Sequence, residues 1–164
     1  MDPLTEQQIR GSFVNATKGE AARVGVPRDL DQVRWDELDF VAWVDPRSPL
    51  SGYLVVPTPT HGLVGIQVRR SGVDAPRRAR MCDLCTTTQR GDAVALMVAP
   101  RAGRAGRDGN TVGVQMCSGL ECSAHARGTI KPPGAQLVEE TLTVEERLDR
   151  LRHNVLGFVD RVVA

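Results

Sequence analysis

Cys82-Asp83-Leu84-Cys85 and Cys117-Ser118-Gly119-Leu120-Glu121-Cys122 contain all four cysteines of the 164-residue chain. Two close pairs, well separated from each other, meet the needs of a tetrahedral metal. Each pair sits on a turn that aims both sulfurs inward, and the fold brings the turns together. Thiolates are soft ligands, and Zn²⁺ accepts four of them at ~2.3 Å in a closed structural site. Such a site leaves no position for water or substrate, which argues against metal catalysis. The alternatives are iron held by four cysteines, a redox-active C-x-x-C pair, and plain buried thiols. The redox reading lacks a thioredoxin-like helix start. Two coordinated pairs argue against unligated sulfurs. His125 follows Cys122 by three residues. It is placed beside the site or on the surface, because four thiolates already complete the tetrahedron.

The 31 residues between Cys85 and Cys117 predict a long hairpin. Residues 93–99 and 111–116 are its strands. Residues 100–109 form a flexible Gly/Arg tip carrying Arg101, Arg104 and Arg107. Cys117 then ends a strand and Cys122 opens a short helix, which is a treble-clef layout. Upstream, residues 39–44, 52–56 and 63–69 are short runs rich in β-branched and aromatic side chains, bounded by Pro or Gly. They predict an antiparallel meander. Before them, residues 5–17 read as a helix opened by a Thr5–Gln8 capping box, with Ile9, Phe13 and Ala16 on one face. Gly19 and then Gly25-Val26-Pro27 end it, and residues 27–37 form a second short helix or turn. Downstream, residues 126–135 are a Pro/Gly linker. Residues 143–162 then read as a helix with a Thr143–Glu146 capping box and Val144, Leu148, Leu151, Val155, Val159 and Val162 at helical period. The fold class is α+β: an antiparallel β meander joined to a four-cysteine treble clef with a C-terminal helix. Residues 1–38 are expected to be an N-terminal helical segment, and 39–164 a single compact unit.

Composition is that of an ordinary globular chain, with 41% hydrophobic and 25% charged residues. No apolar run approaches the ~20 residues that span a bilayer. Met1-Asp2-Pro3-Leu4-Thr5-Glu6 is polar and acidic, unlike a secretory signal. A cytoplasmic protein is expected, where disulfides are disfavoured. The net charge of +1 conceals an asymmetry: residues 61–131 hold 11 basic and 5 acidic side chains, while the flanking segments are acidic. A basic centre suits an RNA-rich or acidic partner. Nothing points to an enzyme. His61, His125 and His153 are scattered, and no glycine fingerprint joins a strand to a helix.

Several stretches together resemble a known family. They are Arg80-Met81-Cys82-Asp83-Leu84-Cys85, the hairpin, Val114-Gln115-Met116-Cys117-Ser118-Gly119-Leu120-Glu121-Cys122, the helix with Leu148, Leu151 and Phe158, and the early Ser12-Phe13-Val14-Asn15-Ala16-Thr17-Lys18-Gly19-Glu20. The set resembles the elongation-factor-G-binding proteins, whose fusidic-acid-resistance members carry a C-terminal treble-clef zinc finger. The resemblance implies direct binding to the translocase through its C-terminal domains. It also implies a push toward departure from a drug-stalled ribosome, with no bond made or broken by the binder. The chain looks like a compact form without the N-terminal helical bundle of the resistance proteins. Roughly thirty residues before the first strand hold one helix and a turn, not a bundle.

Partner contacts are expected at the two ends of the hairpin. Leu84 and Leu120, exposed on metal-clamped turns, would anchor elongation factor G. Arg101, Arg104 and Arg107 would attract it, or ribosomal RNA, at longer range. The resemblance implies a contact role for Phe158, whereas its place on the Leu151–Val155–Val162 face assigns it to the core. The alternative function is a zinc-finger RNA-binding protein that uses the basic hairpin to touch phosphates.

Overall fold

The computed structural model describes residues 1–72, 78–134 and 140–164. The three expected upstream strands are β1 (Val41–Asp45), β2 (Ser48–Thr58) and β3 (Gly62–Arg70). They pair antiparallel in chain order, with Val41 opposite Val55 and Leu54 opposite Ile66. A two-stranded knuckle follows, β4 (Arg80–Met81) and β5 (Thr88–Gln89), with Cys82 and Cys85 between its strands. The long hairpin is β6 (Val94–Pro100) and β7 (Thr111–Cys117). It does not stand apart from the meander. Arg69 pairs with Val98 and Arg70 with Met97, so both hairpin strands join one five-stranded sheet in the order β1-β2-β3-β6-β7.

Side chains alternate across a strand, and over β1–β3 both faces are covered, while β7 keeps an outward face with Thr111 and Gly113 exposed. Leu54, Val56, Val64, Ile66 and Val68 share one core with the C-terminal helix. Val41 and Val55 point the other way, into a second cluster with Ile9 and Trp35 from the N-terminal segment. This is why β2 is buried continuously from Gly52 to Val56.

The N-terminal segment departs from the single helix expected over 5–17. It forms α1 (Glu6–Gly11) and α2 (Lys18–Arg23), then two short 3₁₀ turns at Leu30–Gln32 and Trp35–Glu37. The Thr5–Gln8 box opens α1 as read, but a second box, Thr17–Glu20, opens α2. Gly19 therefore lies inside a helix and does not end one. The chain leaves helical geometry after Gly11 because Ser12 to Asn15 pair with the edge of β3. Val14 N–H donates to Gly65 O at 3.0 Å, Gly65 N–H to Ser12 O at 2.8 Å, and the Asn15 amide exchanges two bonds with the Gln67 backbone. Gly65 permits this approach: a Cβ there would collide with Ser12 Oγ and come within 3.0 Å of Phe13 N. Gly65→Ala is therefore expected to cost ~2 kcal/mol through overpacking, read as a lower urea midpoint.

The hairpin tip is not the flexible loop expected. Residues Gly103–Arg107 form a helical turn, α3. The tip docks on the end of the C-terminal helix, where Ala102 N–H donates to Val162 O at 2.8 Å and the Arg101 guanidinium reaches Ala164 O at 3.4 Å. Carbonyls at a helix C-terminus lack intrahelical donors, and these contacts supply them. After β7 come α4 (Cys122–Arg127), stopped by Gly128 in left-handed geometry, and α5 (Val144–Val163). The expected linker thus begins at Gly128, and its last residue, Ala135, lies outside the described residues. The Thr143–Glu146 box caps α5, and Leu148, Leu151, Val155, Val159 and Val162 are buried as its period requires. Val144 is the exception, at 44% exposure in the first turn. Among the described residues no helix is long and apolar enough to cross a membrane.

Candidate metal centre

The knuckle folds back tightly on itself. Cys82 N–H donates to Thr87 O at 3.0 Å and Thr86 N–H to Cys82 O at 2.8 Å, which holds Cys82 and Cys85 on one turn. Thr86 closes this turn with φ +58°, in the left-handed region that side chains other than glycine rarely adopt. Leu120 does the same in the second turn, at φ +61°. Cys117 ends β7, and Cys122 is the first residue of α4. The knuckle is clamped onto β7 by a reciprocal pair, Asp83 N–H to Gln115 O and Gln115 N–H to Asp83 Oδ2. It is tied to α5 by the Asn154 amide donating to Leu84 O at 3.0 Å.

This framework brings together the four sulfurs that the spacing selected. Their Sγ atoms all lie within 4.8 Å of one another, and all four residues are buried. Cys82 and Cys122 sulfurs are 3.7 Å apart, and those of Cys85 and Cys117 are 3.6 Å apart. A tetrahedron with Zn–S bonds of ~2.3 Å has edges of about 3.8 Å. Two edges of the cluster match this value and the rest stay within 4.8 Å, so the residues fit a zinc ion. They also do not suit a metal-free life. Hydrogen bonds from Cys117 and Cys122 hold the thiols of Cys82 and Cys85 low. Cys122 is pushed up by its bonds to Cys117, Cys82 and Cys85 and by burial. Cys117 is lowered by Cys122 yet raised overall by Cys82 and Cys85. Thiolates crowded this way repel one another in a buried place, and a divalent cation offsets that repulsion.

The other expected site residues fall differently. Leu84 and Leu120 are 1% and 5% exposed, so they are not surface anchors. Leu84 belongs to the core under the knuckle. Leu120 folds onto β2, where a Cβ on Gly52 would meet its Cδ1 at 2.8 Å. Phe158 is fully buried in the same core, the role that its helical face assigned to it. Arg104 and Arg107 remain exposed on α3, whereas Arg101 is engaged with the end of α5. His125 is a neighbour of the site, with Nδ1 3.3 Å from Cys117 Sγ. Sequence reasoning missed Gln89, which is 1% exposed and donates to Cys117 Sγ at 3.1 Å. A faint signal existed: Thr87 lies two residues before Gln89, at the start of the return strand of the knuckle, so both can face the sulfurs.

A family model described as the FBP C-terminal treble-clef zinc-finger matches residues 8–162. The chain belongs to this family. Its cofactor is zinc, and the knuckle, the β6–β7 hairpin and α4 are the parts of its treble clef. A comparison with curated proteins finds no match. Among solved structures, that of the fusidic acid resistance protein FusC matches with a TM-score of 0.54 at 14% identity. The match covers 75% of this chain and 52% of that one, so the chain spans about half the length of that relative. At this identity the likeness is one of fold.

Proposed function

We propose that the chain binds elongation factor G and modulates the factor's release from the ribosome, in the cytoplasm and without bond chemistry. The observation that carries this reading is the treble-clef family match over residues 8–162, on a fold shared with a fusidic acid resistance protein. A four-sulfur site with no open coordination position supports a binding role over a catalytic one. Such a binder works by differential affinity. It shifts the factor only as far as it prefers the releasing state over the seated one. With Leu84, Leu120 and Phe158 in the core, the surface left at the metal end includes Met81, Asp83 and Gly119, all exposed. The exposed cations Arg104 and Arg107 sit at the other end of the hairpin.

Surface plasmon resonance on immobilised elongation factor G tests this. The zinc-loaded chain should bind saturably, and R104S/R107S should lower the association rate several-fold and flatten its salt dependence, while dissociation changes little. An unchanged association rate would remove the tip from the interface. Absence of binding to the factor, with steeply salt-dependent binding to ribosomal RNA, would replace this reading with the zinc-finger RNA-binding one.

A further inference from the structure

The Gln89 side chain is an unexpected occupant of the zinc end. It is fully buried and uncharged, and both of its amide hydrogens are used. Nε2 donates to Cys117 Sγ at 3.1 Å and to Thr87 Oγ1 at 2.8 Å. Thr87 Oγ1 in turn lies 3.1 Å from Cys85 Sγ. A hydroxyl that accepts from Gln89 has its own hydrogen free for that sulfur. The amide orientation follows from the chemistry. Turned the other way, Oε1 would face a thiolate, two acceptors in contact with no hydrogen between them. His125 Nδ1 lies 3.3 Å from Cys117 Sγ and 3.5 Å from Gln89 Nε2, so one tautomer donates to the sulfur and the other accepts from Gln89. The other two sulfurs are less well served. Cys82 Sγ receives the Cys85 backbone N–H at 3.5 Å. Cys122 Sγ has no donor from protein N–H or O–H groups among the described residues, its only sulfur neighbour within bonding reach being Cys82.

The geometry points to Gln89 as a positioning residue that divides the zinc site into a retained half and a releasing half. Four thiolates on Zn²⁺ leave a net charge of −2 in a buried place. Donors that bond to a thiolate draw off part of that charge and lower its affinity for protons and electrophiles. Gln89 does this directly for Cys117 and through Thr87 for Cys85. Cys85 and Cys117 therefore hold the metal longest. Cys82 and Cys122 keep more charge and are the sulfurs at which loss of the metal begins. Accessibility does not set this order, because all four residues are within 2% of complete burial. The consequence concerns zinc exchange and thiol chemistry, and it stands whether or not the chain binds elongation factor G.

Three measurements on the full chain test it. The first is NMR of ¹⁵N-labelled protein loaded with ¹¹³Cd, in which a scalar coupling should link the Gln89 side-chain N–H to cadmium. Such coupling passes only through an N–H···S bond and is untouched by general stability. The second is the rate of zinc transfer to a chromogenic chelator. Q89L should speed it about tenfold or more, the usual effect of losing a hydrogen bond behind a ligand. T87V, which removes only the relay, should give a smaller increase. The third is limiting N-ethylmaleimide on the zinc protein followed by peptide mass spectrometry. First adducts should fall on Cys82 or Cys122, and Q89L should spread them to Cys117. Absence of the cadmium coupling, T87V and Q89L rates equal to wild type, or first adducts on Cys85 or Cys117 would each overturn the assignment. If Q89L does not fold, the coupling in the wild type and the T87V rate still decide it.

Discussion

Changing Cys117 and Cys122 together to serine should reduce zinc content from one equivalent per chain to near zero and unfold the finger end. The expected effect is large because metal binding and folding are one process here. A structural zinc contributes roughly 10–16 kcal/mol of apparent binding free energy at neutral pH. A whole domain is stable by only about 5–15 kcal/mol. The geometry explains why little could compensate. The two turns that hold the ligands contain Thr86 and Leu120 in left-handed backbone, conformations that persist only where surrounding contacts enforce them. A strong chelator should act in the same direction. So should acid, because the ligands must be thiolates and protons compete for them as pH falls. Elemental analysis of protein purified without added metal checks the stoichiometry. A double serine variant that kept a full equivalent of zinc would refute the ligand assignment.

The second large effect is expected from Phe158→Ala. The ring is fully buried on α5, between Leu151 and Val162 along the helix face that closes the main core. Removing a buried phenylalanine costs about 3–5 kcal/mol, from lost transfer energy and the cavity left behind. For a chain of this size that lowers Tm by roughly 10 °C. Calorimetry measures the shift. The result also separates two roles that the sequence left open for this residue. A contact residue would lose affinity for elongation factor G at unchanged Tm. A core residue loses Tm first, and any change in affinity follows from unfolding.

What the sequence disclosed, and what it hid, follows from the range over which each signal acts. Ligand spacing, the boxes at Thr5 and Thr143 and the apolar stripe of α5 are local patterns, and the chain honours them. The Thr17–Glu20 box is equally local. It was obscured by Gly19, which reads as a helix breaker when taken alone. The end of α1 was not local at all. Ser12 to Asn15 leave the helix because β3, some fifty residues later, offers an unpaired edge and a glycine at position 65. Leu84 and Leu120 were misplaced for a related reason. A leucine on a turn looks exposed until another strand covers it, and Gly52 on β2 is the notch that receives Leu120. The tip read as flexible from its glycines and arginines, yet the last turn of α5 gives it something to hold. Gln89 carried almost no signal, because a lone glutamine is an ordinary surface residue until the sulfurs are folded around it.

The join between β3 and β6 has a mechanical meaning. Only Arg69–Val98 and Arg70–Met97 pair across it, with Ser71 N–H adding one bond to Leu96 O. Beyond that point the two strands diverge like the arms of a fork. The Asn15 side chain sits in the crotch, donating to Gln67 O on one arm and Pro100 O on the other. The continuous sheet is in effect two panels on a short hinge, with α5 laid across the back as the brace. Each panel keeps its own ladder of hydrogen bonds, so opening at the hinge would break few of them. What keeps the panels from parting is packing and not the ladder, because β2, β3, β6, β7 and α5 all bury side chains in one apolar core.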